Sequence, residues 1–480
     1  MKYIEGGKLV SEKSESRGKY LAKNTAIFAI GNVASRLISF FLVPLYTNIL
    51  TTSEYGVVDL INTVCTVLAP ILILNISEAV MRFALDKDAD CKKIMSIGLT
   101  VFTSSIIIGL LILPISSMFS DIAPYAIDVY FYTITLAGSQ LFLCYLRGRE
   151  QLALYSAGSI LHTLTIALFN ILFLAVMHKG IKGYFLAYII SNIITIAFSF
   201  IAGNVLEVIK NYRLDIKMAK SMAKYSVVLI PNTFMWWIMN SSDRVMVTSM
   251  IGVAANGIYA VSYKLPSLVS TLTGIFNQAW SYSAIREDGS EDENEYNNRV
   301  FNRLVSIVML LSIMLLTIIK PFLKLYVGES YYEAWRYTPF LIVGSAYLTL
   351  ATFMATSYTV HKDSFGYLFS ATFGALLNVI LNFLLIPIIG VYGAAFATCV
   401  SYIAVFIFRL IHTQKYIKYD VNNKEFVGGS ILLMVSALVL FADSFAGFLM
   451  QVVILIVAVV LYAKTWVPII QKVMRKMLRR

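Results

Sequence analysis

Runs of about 20 apolar residues recur along almost the whole chain, and each has the length a helix needs to cross the hydrocarbon of a bilayer. They fall near 24–48, 54–81, 94–117, 124–146, 152–177, 183–206, 225–249, 253–282, 301–320, 337–360, 365–387, 391–411, 427–443 and 447–468. Backbone N–H and C=O groups in hydrocarbon must be satisfied within the segment or a closed barrel, so runs this long are predicted helices. The expected fold is all-α: a polytopic membrane protein with 14 transmembrane helices. Charged residues make up only 14% of the 480, against about 25% in soluble domains. That excludes a soluble enzyme, a nucleic-acid binder and a disordered scaffold.

The first run follows about 20 polar residues and lacks a small-residue cleavage site, so it reads as a span and not as a signal peptide. Lysines and arginines outnumber acidic residues, 39 to 27. With both termini in the cytoplasm, 30 of the 39 fall on the inside and only Lys179, Lys182, Lys320, Lys324 and Arg336 outside. That is the positive-inside pattern. The acidic stretch from Glu287 to Glu295 departs from it in charge but is still a hydrophilic loop. The longest outside connection, near 321–336, is short and aromatic, with Tyr326, Tyr331, Tyr332 and Trp335. There is no G-x-x-x-x-G-K-[ST] loop and no large external loop for catalysis, so no enzyme activity is expected.

An internal repeat is visible. Gly180, Gly183, Ala187 and Ser191 line up with Gly390, Gly393, Ala397 and Ser401 at an offset of 210. Glu54-Tyr-Gly56 lines up with Ala255-Asn-Gly257 at an offset of 201. Spans 1–6 thus match spans 7–12, and an even number per half gives both halves the same orientation. Two parallel six-helix lobes plus two C-terminal helices follow, a basis for alternating access. The expected divisions are a cytoplasmic tail at 1–20, lobes at 21–210 and 211–424, and spans 13–14 with a basic tail at 425–480.

Charges left inside the spans mark candidate sites, because they are costly in hydrocarbon. Arg36 lies deep in span 1. Span 7 holds Pro231, Trp236, Trp237, Asp243 and Arg244, and span 8 holds Tyr263 and Lys264. Asp243 and Arg244 are neighbours about 100° apart on a helix, so each needs a partner on another helix. Arg36, Arg244 and Lys264 are candidates to hold an anionic group. Arg82, Arg147 and Arg149 are candidates for a basic cytoplasmic vestibule, although topology alone accounts for the last two. Glu78 and Arg82 share a helix face at i,i+4. Glu78 and Asp243 are candidates either for ion coupling or for fixed ion pairs. Lys264 is read either as a second cavity charge or as the counterion of Asp243. Asn382 and Pro387 read as packing and capping features. His162, His178, His361 and His412 are scattered, and Cys65, Cys91, Cys144 and Cys399 lie far apart. No metal site, cofactor or disulfide framework is expected.

The order of several motifs resembles the polysaccharide-transport or O-antigen flippase family of the multidrug/oligosaccharidyl-lipid/polysaccharide exporter superfamily. They are Lys23-Asn24-Thr25 through Asn32, Arg36 to Pro44, Leu50 to Gly56, Tyr225 to Pro231 with Asp243-Arg244, and Asn256-Gly257-Ile258-Tyr259 with Tyr263-Lys264. Asn382 to Pro387, leading to Gly390, Gly393, Ala394 and Ala395, completes the set. The likeness spans about residues 20–465. It implies a bacterial inner-membrane flippase that carries undecaprenyl-pyrophosphate-linked oligosaccharide repeat units to the outer leaflet. Two lobes would rock around a cation-lined cavity. It implies basic cavity positions at Arg36, Arg244 and Lys264, an acidic partner at Asp243, and a polysaccharide polymerase and glycosyltransferases as working partners, besides membrane lipids and with no nucleic acid. A lipid II flippase and a proton- or sodium-coupled multidrug exporter of the same superfamily are the rivals. Organic cations would favour an acidic or aromatic cavity, and the excess of basic residues inside the spans weighs against that.

Overall fold

The computed structural model describes residues 38–478 apart from Lys87, Ser117, Phe119, Asp288 and Asn422. Among them there is no strand, and nine helices are long and apolar enough to cross a membrane. The chain is an all-helical, multi-pass membrane protein. The described end of the first expected span is the shorter apolar helix Ile38–Ile49, and Phe445–Leu461 is another. Two helices have the length but not the composition. Ile216–Met250 opens with Lys217, Lys220 and Lys224 and carries Asp243 and Arg244, and Lys264–Glu287 is rich in Ser and Thr.

Packing divides the described chain into two units, residues 38–49 with 61–233, and residues 50–60 with 234–478. In the first, helices α1 (Val43–Ile49) and α2 (Thr52–Leu72) lead to a break. Leu74 and Asn75 both take positive φ, 51° and 55°, just after Pro70, and α3 (Ile76–Ala84) restarts from there. The Asn75 side-chain amide donates to Thr233 Oγ1 at 3.1 Å. Helices α4 (Cys91–Ile108), α5 (Ala126–Gly148), α6 (Leu152–Asn170), α7 (Gly180–Ala202) and α8 (Val205–Lys210) follow. The core joins Ile73 and Val80 to Met95, Leu141, Tyr145 and Met222. Gly148 lets α5 press on α3, since a Cβ there would meet the Met81 carbonyl oxygen at 2.9 Å.

The second unit takes residues 52–60 of α2 and the second half of α9 (Ile216–Met250). It continues through α10 (Val253–Ser262), α11 (Lys264–Glu287), α12 (Glu293–Tyr326), α13 (Thr338–Val360), α14 (Ser364–Ile389) and α15 (Val391–His412). The last three helices are α16 (Lys424–Val439), α17 (Phe445–Leu461) and α18 (Ala463–Leu478). Helix α13 is almost wholly buried, because its neighbours surround it. Its core contacts include Leu341 against Tyr259, Ile386 and Ala394.

The repeat has a structural counterpart. Gly180 and Gly390 both take positive φ, 55° and 61°, at the turns before α7 and α15. Three residues on, Gly183 and Gly393 press against carbonyls of the helix before, those of Phe173 and Leu385. The other matched pair meets directly. A methyl on Gly56 would overlap the Val253 carbonyl, and one on Gly257 would overlap the Thr52 carbonyl. The two helix starts therefore cross at backbone contact, and only two glycines fit there. Tyr331, from the short 3₁₀ segment Glu329–Arg336, donates to the carbonyls of Leu50 and Thr51 at 2.9 and 2.7 Å and holds the same segment in place.

Candidate functional site

Helix α9 places Asp243 and Arg244 side by side, and they turn to different neighbours. Arg244 Nη1 donates to Asp59 Oδ1 on α2 at 2.9 Å. The two side chains are 19% and 7% exposed, so this is an ion pair withdrawn from solvent. Asn256 of α10 donates to Asp59 Oδ2 at 3.4 Å and to the Gly56 carbonyl at 3.2 Å. The guanidinium also lies 4.9 Å from the centre of the Tyr263 ring. Hydrogen bonds and a ring face together offset the cost of taking both charges out of water.

Asp243 faces hydroxyls. Tyr259 donates to its Oδ2 at 2.7 Å, Tyr263 donates to the same oxygen, and Thr398 of α15 donates at 3.3 Å. Its Oδ1 accepts the Arg244 backbone N–H at 2.9 Å. Thr398 in turn accepts from Asn378 of α14 at 3.2 Å, and Asn378 accepts from Asn382 at 2.9 Å. A buried polar row therefore runs from Asn382 to Asp243, charge-assisted at the carboxylate end. Three buried atoms in this cluster lack a partner among the described residues: Arg244 Nε, Asn256 Oδ1 and Asn382 Oδ1. A buried polar group left unmet costs about 1–3 kcal/mol.

The other predicted residues are dispersed. Arg36 lies outside the described residues. Lys264 opens α11 with its ammonium 5.9 Å from the centre of the Tyr55 ring, in the same unit as Arg244. Arg82, Arg147, Arg149 and Glu78 belong to the first unit. Arg82 pairs with Asp86 at 2.7 Å, one turn onward, and not with half-buried Glu78 one turn back. Arg149 donates to the Gly203 carbonyl at 2.6 Å, which ties the end of α5 to the end of α7. Arg147 is half-buried in the last turn of α5.

Asp59 is the residue the sequence reading passed over. It stands alone among Val57, Val58, Leu60 and Ile61, which is the same kind of signal that drew attention to Arg244. Its presence changes the charge count. Asp59 and Asp243 match Arg244 and Lys264 in number, so this cluster does not carry the positive excess expected of the spans. Asn382 serves the polar row and not only packing. No group of three or more His, Cys, Asp or Glu among the described residues is placed to hold a metal ion.

The polysaccharide biosynthesis protein family matches residues 21–282, more than half of the chain. No curated protein matches the sequence. Solved structures share its fold. A lipid II flippase MurJ in an inward closed conformation has a TM-score of 0.67 at 13% identity, covering 93% of this chain and 98% of its own. A mutant of the Vibrio cholerae MATE transporter VcmN has a TM-score of 0.59 at 14% identity, covering 86% and 99%. A MOP superfamily transporter from Pyrococcus furiosus has a TM-score of 0.54 at 13% identity, covering 86% and 96%.

Proposed function

The chain belongs to the polysaccharide biosynthesis protein family, and on that premise we propose that it is a flippase for lipid-linked oligosaccharide. Its cargo would be undecaprenyl-pyrophosphate-linked repeat units, moved from the inner to the outer leaflet of the bacterial cytoplasmic membrane by alternating access. The observation that carries the reading is Arg244. It is a guanidinium held inside a membrane protein with one arm on Asp59 and its Nε unpartnered. Guanidinium groups recognise phosphate oxygens through paired donors, and withdrawal from water strengthens that recognition. In this reading Arg36 and Lys264 add charge to the same cargo, and Arg82, Arg147 and Arg149 attract the pyrophosphate from the cytoplasm. Asp243, or Glu78, couples the cycle to a proton or cation. The work is translocation and needs no covalent step.

The test is leaflet accessibility of lipid-linked glycan in vesicles holding the purified protein. The protein should speed the appearance of glycan on the far leaflet. Arg244→Lys, which keeps the charge but not the fork, should slow it at least tenfold. Failure of the wild-type protein to speed crossing of its native lipid-linked glycan would overturn the assignment.

The balanced charge around Asp59 and Asp243 favours one rival over the others, a cation-coupled exporter of organic cations. Uptake of such cations into inverted vesicles, driven by a proton or sodium gradient, separates the two.

A further inference from the structure

A recess of about 380 Å³ lies in the second unit, where α12, the start of α16 and the junction of α17 with α18 come together. Its lining includes Arg299, Arg303, Lys424, Asn302 and Glu425. Arg299 pairs with Glu295. Arg303 and Lys424 have no ion-pair partner among the described residues. The one carboxylate in the lining, Glu425, accepts a hydrogen bond from Ser306 at 3.1 Å and leaves the recess with net positive charge.

The level of this recess is set by three apolar helices. Arg299 and Arg303 precede the apolar part of α12, Lys424 precedes that of α16, and Thr465 follows α17. The polar recess thus sits where the hydrocarbon begins. Helix α18 continues from it with Trp466, Ile469, Ile470, Val473, Met474 and Met477 at helical spacing, between Lys464, Lys472, Arg475 and Lys476. That pattern suits a helix lying in a membrane interface. Positive-inside topology puts this level on the cytoplasmic side.

We propose that the recess binds the phosphate of an anionic phospholipid of the cytoplasmic leaflet. Arg303 and Lys424 meet the phosphodiester, and Asn302 and Glu425 meet headgroup hydroxyls, as a glycerol headgroup offers. Basic pockets between helices on the cytoplasmic side suit such headgroups.

The test measures binding and thermal stabilisation of the purified full chain, without transport, so its failure is separate from failure of the flippase reading. Phosphatidylglycerol should raise the melting temperature above that in phosphatidylcholine, and it should appear as a bound lipid in native mass spectra. Arg303→Gln with Lys424→Gln should weaken this binding about tenfold to thirtyfold. Arg213→Gln with Lys217→Gln, which removes equal charge from exposed positions in the first unit, should not. If the neutral pair fails to fold, Arg303→Lys with Lys424→Arg keeps the charge and should keep binding; loss of binding in that folded variant counts against the proposal. Equal binding by the neutral pair, or equal stabilisation by glycerol 3-phosphate alone, overturns it.

Discussion

Asp59 and Arg244 illustrate what a single buried charge demands. Either alone would be an uncompensated ion in a membrane protein; together they form a pair with Asn256 as a third member. Removing one partner of such a pair costs about 3–5 kcal/mol, while replacing both with apolar groups of similar volume can be near neutral. Asp59→Ala should therefore sharply lower the melting temperature in detergent, and Asp59→Ala with Arg244→Met should recover most of it. A single mutant as stable as the parent would show that the pair does not hold the fold. Asp363 offers a second prediction, outside the membrane. Its carboxylate accepts the Gly366 backbone N–H at 2.8 Å, and Lys415 and Tyr416 donate to its other oxygen. These donors pull its pKa down to about 2 from an ordinary value near 4. The folded state gains above the ordinary value and loses that gain as pH falls toward 2. Asp363→Asn should therefore melt lower than the parent at pH 7, with the difference shrinking below about pH 4 and nearly gone by about pH 2.

The elements show which patterns a linear reading can find. Among the described residues nine of the expected spans follow from apolar length, and the glycine repeats follow from spacing, so these are legible. Polar networks are not. Tyr259, Tyr263 and Thr398 converge on one carboxylate oxygen from two stretches more than 130 residues apart, and hydroxyls carry no periodic mark. Arg409 falls among the basic residues that the sequence places at inside helix ends, yet it is buried in the last turn of α15. It donates to Ser370 on α14 and to the Ala351 carbonyl on α13, so it fastens three helices. The repeat showed that Gly56 and Gly257 correspond but not that they touch. Gly257→Ala would drive a methyl into the Thr52 carbonyl and force the helices apart. Overpacking of this kind costs about 1–3 kcal/mol, measurable as a lower melting temperature; an unchanged value would mean that the crossing is looser than described.

For the whole molecule, the basic residues predict an orientation that labelling can check. In a chain stripped of its four native cysteines, a cysteine at Glu333 should react with an impermeant reagent added to intact cells. One at Lys418 should react only after the membrane is opened. Reversed labelling would place the basic loops outside and overturn the topology on which the inner-leaflet recess and the direction of transport both rest.

Residues 50–60 carry one more consequence. They precede most of the first unit in the chain, yet they pack with the second, where they supply the counterion of Arg244 and the backbone that Gly257 lies against. The second unit is therefore completed by a segment encoded some 170 residues upstream of its main body. A polypeptide beginning near residue 211 would fold short of one helical piece and would leave Arg244 unneutralised. Made alone it should be degraded, and supplying a fragment that contains 50–60 in trans should rescue it. The gene can be cut in two, but the cut will not yield two self-sufficient halves.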